Sequence, residues 1–375
     1  MRLSLKISAA GVAAVAAVAT ALLGAGAADA STGQDPVGAV FVQTDGLSGN
    51  AIVAYDRLAD GTLQQAGTYA TGGLGVQMAG SVADHLASQS SLARGQGSLF
   101  AVNGGSNTIT SFSIRGSRLA DREIVGSWGQ APVSITAHDN RVFVLNARDG
   151  GSVQGYLNYG GHLVAVPSWH RDLGLDPNAT PEFTHTPAQI AFTPDGSKLI
   201  VSTKGNTSSF DVFLTDHSGL SASPVVTALP GAVPFGFQFD AAGNVVASEA
   251  GTNSVATFSV GADGRLTQLA IAATGQVATC WIVVDGSYVY ASNAGSGTLS
   301  GYRIGDGGSL TSVGLAHTAA GTVDAAVSSD GQYLYVQTGV AGMVDEFRVG
   351  SDGTLTPIGS VLVPGAAGGE GIVAN

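Results

Sequence analysis

Short apolar runs recur along the chain at a nearly constant interval. Val40-Phe41-Val42-Gln43, Leu99-Phe100-Ala101-Val102, Val142-Phe143-Val144-Leu145, Leu199-Ile200-Val201-Ser202, Val245-Val246-Ala247-Ser248, Val289-Tyr290-Ala291-Ser292 and Leu334-Tyr335-Val336-Gln337 each lead into a Gly- or Asn-rich turn. Their first residues are separated by 59, 43, 57, 46, 44 and 45 positions. A further strand follows each turn, and then a second turn typified by Ala262-Asp263-Gly264-Arg265-Leu266 or Ser351-Asp352-Gly353-Thr354-Leu355. Asp-Gly marks a hairpin because Gly accepts the positive φ that primed turns require. Four strands in about 45 residues is the blade period of a propeller. The pattern therefore predicts an all-β chain, a seven-bladed β-propeller spanning residues 31–375 as a single domain. The first run aligns with the second strand of every other repeat, and Gly371-Ile372-Val373-Ala374 reads as an isolated first strand. Together they complete one blade, which closes the ring and leaves no free sheet edge.

Composition narrows the partners. The chain is 44% hydrophobic and 11% charged, with 55 Gly among 375 residues and a formal charge of −12. So little charge beside so much apolar content excludes a disordered polyelectrolyte. The three lysines, Lys6, Lys198 and Lys204, form no basic stripe, so nucleic acid is not an expected partner.

Residues 1–30 read as a signal peptide. Arg2 and Lys6 give a positive start, Ile7 to Leu23 an apolar stretch, and Ala28-Asp29-Ala30 the small residues that precede cleavage. Cleavage after Ala30 predicts a secreted, extracellular protein with no membrane attachment; an uncleaved anchor is the alternative reading. The lone cysteine, Cys280, excludes an intramolecular disulfide, so the exported chain relies on its core. A monomer is expected.

Phrases such as Pro187-Ala188-Gln189-Ile190-Ala191-Phe192-Thr193-Pro194-Asp195-Gly196 and Ser328-Ser329-Asp330-Gly331-Gln332-Tyr333-Leu334-Tyr335-Val336, alternating with Asp-Gly-Thr-Leu turns, resemble the seven-bladed propeller lactonase family. That family includes 6-phosphogluconolactonase-like proteins and carboxymuconate cyclases. The resemblance runs from Val37 to the C-terminus and implies hydrolysis or formation of a lactone, with a Glu, His and Arg set on one face. These motifs are blade grammar and specify fold better than chemistry.

In a propeller the first-strand starts and second-strand ends share one face around the axis. The repeats place Thr44, Asn103, Asn146, Thr203, Glu249, Asn293 and Thr338 at one equivalent position after the second strand. Glu249 is the only carboxylate among them. Two readings stand side by side: a ring of polar groups for a ligand, or local bracing of turns by short side chains. Gln89, Ser134, Gln189, Phe235, Cys280, Trp281 and Asp324 start the first strands on the same rim, with His185 just before them in its repeat. The candidate catalytic set is Glu249 as base, or as the group polarising His185, with Lys204 or Asn293 facing the oxyanion. Of the set implied by the resemblance, the glutamate matches by position as Glu249 and Arg148 is the candidate arginine; His138 belongs toward the opposite end of its strand. Candidate ligand-binding residues are Asn103, Asn146, Asn293, Gln189, Phe235, Trp281 and Asp324, for a small molecule or carbohydrate. Cys280, flanked by apolar residues, reads as an inert thiol.

Two insertions, 72–86 and 168–186, precede first strands on the same face, and long loops of this kind are often functional. There is no G-x-S-x-G elbow, P-loop or H-E-x-x-H, and the seven His residues show no ligand spacing, so a zinc site is not indicated and no metal or cofactor is expected; a hard cation held by Glu249, Asn103, Asn146, Asn293 and Asp324 is the alternative reading. A second class of function needs only the fold: a non-catalytic secreted scaffold that binds a carbohydrate, peptide or cell-envelope component.

Overall fold

A computed structural model describes residues 35–216 and 219–375; the signal-like segment 1–30 lies outside the described residues. Seven antiparallel sheets are arranged around one axis. The second strand of each sheet is buried along its length, as at Ser98–Asn103 and Tyr333–Thr338. It lies between two neighbouring blades, so its apolar residues do not alternate with polar ones. Outermost strands such as Leu63–Ala70 and Leu266–Ala273 do alternate, because one face meets solvent. This contrast explains why the second strands dominate the hydrophobic pattern.

The ring closes as the pattern predicts. Ile372–Ala374 pairs antiparallel with Gly38–Gln43, and Ala51–Arg57 and Leu63–Ala70 complete the first blade. Asn375 fastens the joint: its backbone N–H donates to the Ala39 carbonyl at 3.0 Å, and its side-chain oxygen accepts from the Ala39 amide. On the other side Arg94 of the second blade donates to the Ala374 carbonyl at 2.9 Å.

Asp-Gly turns lock neighbouring blades. Gly353 has φ of 81°, and a Cβ there would overlap the ring of Tyr288 in the preceding blade. The Tyr290 hydroxyl donates to the Gly353 carbonyl at 2.9 Å. The turn therefore needs Gly twice, for its conformation and for this close approach.

The innermost strands are Ile372–Ala374, Leu92–Gly95, Pro132–His138, Gln189–Phe192, Pro234–Phe239, Thr279–Asp285 and Thr322–Val327. Several lose register near their starts, between Pro234 and Phe237, between Thr279 and Trp281, and between Thr322 and Ala325. Such bulges re-aim side chains. Here they release Phe235, Cys280 and Asp324 from the regular ladder, at the end of the axis where the two insertions lie.

Candidate functional site

A cavity of about 330 Å³ lies on that face. Its walls come from the inner-strand starts (Val233, Phe235, Cys280, Trp281), from turns after second strands (Lys204, Ala250, Ala294, Val340) and from both insertions. Gly80 to Asp84 and Ala87 belong to or follow the first insertion; Phe183 and Thr184 belong to the second. Phe235 and Trp281 meet edge to face, 5.0 Å between ring centroids, and the Trp281 indole N–H donates to the Ser88 carbonyl at 2.7 Å.

Lys204 organises this end of the molecule. Its buried ammonium donates to the Ala87 carbonyl at 2.6 Å, the Phe183 carbonyl at 2.7 Å and the Thr186 hydroxyl at 2.8 Å, so one side chain joins both insertions to the ring. It stands 5.4 Å from the centre of the Phe235 ring. Burial pulls its pKa down to about 7, against the opposing attraction of the Asp84 carboxylate. Asp84 is also buried; its oxygens accept the backbone N–H groups of Leu86 at 2.7 Å and Ser88 at 2.8 Å. Burial pushes its carboxyl up to about 7, although those N–H groups and Lys204 favour the charged form. The Cys280 thiol beside them is pushed up to about 12 by burial, which keeps it protonated and inert near neutrality.

Beneath the cavity, amide side chains close the axis. Gln89 reaches across to the inner strand of the sixth blade, donating to the Ile282 carbonyl at 2.6 Å and accepting from the Ile282 amide at 3.0 Å. It passes Gly236, where a Cβ would collide with its amide oxygen. Gln189 bridges in the same manner to both backbone groups of Phe237, at 2.6 and 2.9 Å. Asp324 accepts from Gln89 at 3.2 Å and is hydrogen-bonded to Glu370. It faces a different space, a cavity of about 380 Å³ reached from the opposite end of the axis. Gln189 and Asp324 thus sit in or below the plug.

The four candidate catalytic side chains do not converge. Lys204 lines the axial cavity, whereas Arg148 and His185 line a separate cavity of about 170 Å³. There Arg148 is paired with Glu182 at 2.6 Å, which holds the Glu182 carboxyl below its usual range, and Glu182 also accepts the Ala79 amide at 2.6 Å. The His185 Nδ1 lies 2.9 Å from both the Thr184 hydroxyl and the Pro181 carbonyl. Glu249 lines neither cavity. Its carboxylate accepts from Thr252 and Ser254, both at 3.4 Å, and burial raises its pKa with no cationic partner opposing it.

Its repeat-equivalents do the same work. Asn103 donates to Thr108 and Thr110, Asn146 to Ser152, and Asn293 to Thr298 and Ser300. Each side chain braces the turn into the third strand of its own blade. Of the candidate binding residues only Phe235 and Trp281 line the axial cavity. Asp84, which does line it, escapes a repeat alignment because it belongs to an insertion that the other blades lack; the only sequence signal for it is a carboxylate inside an extra loop on the functional face.

A family model described as Lactonase, 7-bladed beta-propeller matches residues 79–368. The chain belongs to that family. Solved structures similar to this family member include a putative 6-phosphogluconolactonase from Bacteroides fragilis, at 18% identity and a TM-score of 0.70, covering 92% of this chain and 99% of that one. A second putative 6-phosphogluconolactonase, from Bacteroides uniformis, is 17% identical with a TM-score of 0.73, covering 91% and 100% of the two chains. The periplasmic gluconolactonase PpgL of Pseudomonas aeruginosa is 19% identical with a TM-score of 0.70, covering 90% and 98%. At these identities the likeness is one of fold. No curated protein sequence matches the chain.

Proposed function

We propose that this lactonase-family propeller is an exported, monomeric hydrolase that opens a lactone in the axial cavity, with Asp84 as general base. The observation that supports this reading is a buried carboxyl, Asp84, set beside the Lys204 ammonium on the wall of a largely apolar cavity, where burial pushes its pKa up to about 7. A general base works best with its pKa near the operating pH. Asp84 would take a proton from water as the water oxygen attacks the lactone carbonyl carbon. The ring C–O bond then breaks, and the leaving alkoxide takes the proton to give a hydroxy acid. Lys204 already has three acceptors, so it acts through its charge, which favours ionised Asp84 and offsets negative charge developing on the carbonyl oxygen. The new carboxyl group then gives its proton to solvent, and the resulting carboxylate is repelled by Asp84 and poorly solvated by the walls, which favours release.

The reading is tested with the mature chain and a panel of lactones of varied ring size and charge. Asp84→Asn keeps the shape of the side chain but puts an NH2 against the Leu86 or Ser88 amide that an Asp84 oxygen accepts, so it is expected to lower the melting temperature modestly and, compared at a temperature where both proteins are folded, to lower kcat/KM by about 10²–10⁴. Hydrolysis unaffected by this change removes Asp84 from the reaction. A second reading, ligand capture without turnover, is supported by the two backbone N–H groups that Asp84 already accepts; it predicts saturable binding with no hydrolysis of any panel member.

A further inference from the structure

The walls of the axial cavity select against the polar lactones that the family's names suggest. A phosphorylated lactone needs a cation with free donors, and among the described residues lining the cavity Lys204 is the only cation, its three N–H groups engaged by Ala87, Phe183 and Thr186. A polyhydroxylated ring needs several hydrogen-bonding side chains. The two hydroxyls in the wall are engaged within their own loops, Ser81 with the His85 carbonyl at 3.3 Å and Thr184 with the Pro181 carbonyl at 3.1 Å. What remains facing the cavity is Phe183, Val233, Phe235, Trp281, Ala294 and Val340.

The apolar character continues outward. Val82 and Val340, at the mouth, are 78% and 50% exposed. Val277, at 61%, precedes the lining residue Ala278, and its side chain packs against Gly295, another residue of the wall. These three come from three different loops of the same face and leave half or more of their surface in solvent. Exposed apolar side chains gathered beside a cavity are a feature of binding surfaces, and Val82 and Val340 both line this one. The volume, about 330 Å³, lies toward the small end of ligand pockets and fits a single small molecule rather than a peptide or polysaccharide.

We infer that the ligand of this site is an uncharged lactone bearing an alkyl chain, its ring between Asp84 and the Phe235–Trp281 pair and its chain running out over Val340 and Val82. The ring placement rests on the hydrolytic reading above; the preference for an alkyl chain rests on the walls and rim.

The experiment measures quenching of tryptophan fluorescence, to which Trp281 in the wall contributes, on titration with δ-valerolactone, δ-octalactone, δ-decalactone, δ-dodecalactone and gluconolactone. Hydrolysis of each is followed separately by acid release. The dissociation constant is expected to fall about fourfold for each methylene that the site buries, with gluconolactone binding most weakly. Val340→Glu and Val82→Glu alter half-exposed or exposed side chains, with the fold checked by the melting temperature; each is expected to weaken δ-dodecalactone about tenfold and gluconolactone by much less. Affinity independent of chain length, or gluconolactone binding as tightly as the alkyl lactones, overturns the inference. Chain-length-dependent binding without acid release supports it while defeating the hydrolytic reading. Hydrolysis of gluconolactone with no alkyl preference does the reverse.

Discussion

Glu249 shows how a residue can be correctly placed by repeat alignment and still resist a functional reading from sequence. The alignment groups it with Asn103, Asn146 and Asn293, and all four brace the turn into the next strand. A lone carboxylate in a neutral ring looks like chemistry because sequence carries charge but not direction. The side chain accepts from Ser254 of its own blade, away from both cavities that hold the other candidates. Glu249→Asn therefore is expected to leave the melting temperature and any lactone hydrolysis essentially unchanged. Loss of hydrolysis with an intact fold would restore Glu249 to the reaction. Lys204, singled out by its rarity, does lie at the axial cavity, but the same sequence gives no hint that its three donors are taken by main-chain and hydroxyl oxygens of two remote loops.

Those loops are the elements that distinguish this propeller from a plain ring. Blade strands were legible because burial between neighbours writes a continuous apolar run at each second strand, and because turns such as the one at Gly353 require glycine. The insertions obey no such repeat. Their lengths show up as excess spacing, but their mutual contact depends on pairings between distant positions, including the Phe183 amide donating to the Ala79 carbonyl at 3.3 Å and Glu182 accepting from Ala79. Lys204→Met is expected to release both loops while the ring persists. Three acceptors, two of them buried, lose their donor, an effect of about 2 kcal/mol that falls on local opening more than on global unfolding. Hydrogen exchange should quicken within residues 72–87 and 168–186 and stay slow in the second strands. Uniform acceleration across all blades would mean that Lys204 supports the ring itself.

At the scale of the whole molecule, the ring concentrates acid on its axis. Asp45, Asp84, Asp324 and Glu370 are all buried there, and Glu346 is buried between the seventh blade and the first, where it accepts the Leu63 amide at 3.1 Å. Burial is the largest cause in each case, pushing Asp45 up to about 8, Asp84 and Glu346 up to about 7 and Asp324 up to about 6, with Glu370 raised well above its usual range by burial and by its acidic neighbours. A carboxyl whose folded pKa is raised binds its proton more tightly in the native state than in the unfolded chain. Its contribution to stability is complete below its ordinary pKa, near 4, and is lost as pH climbs through the folded value. Lys204, lowered to about 7, works in the opposite sense: protonating it in the native state costs more than in the unfolded chain, so its contribution is lost as pH falls through 7. One group opposes five, and only in the upper part of the window. Thermal stability at constant ionic strength is therefore expected to fall between about pH 5 and pH 8. Calorimetric melting across that range checks the sign. Replacing the hydrogen-bonded pair with Asp324→Asn and Glu370→Gln should make the dependence shallower, because two of the five raised carboxyls are then gone. A melting temperature that rises from pH 5 to pH 8 would show that these axial carboxylates are held ionised by the ring.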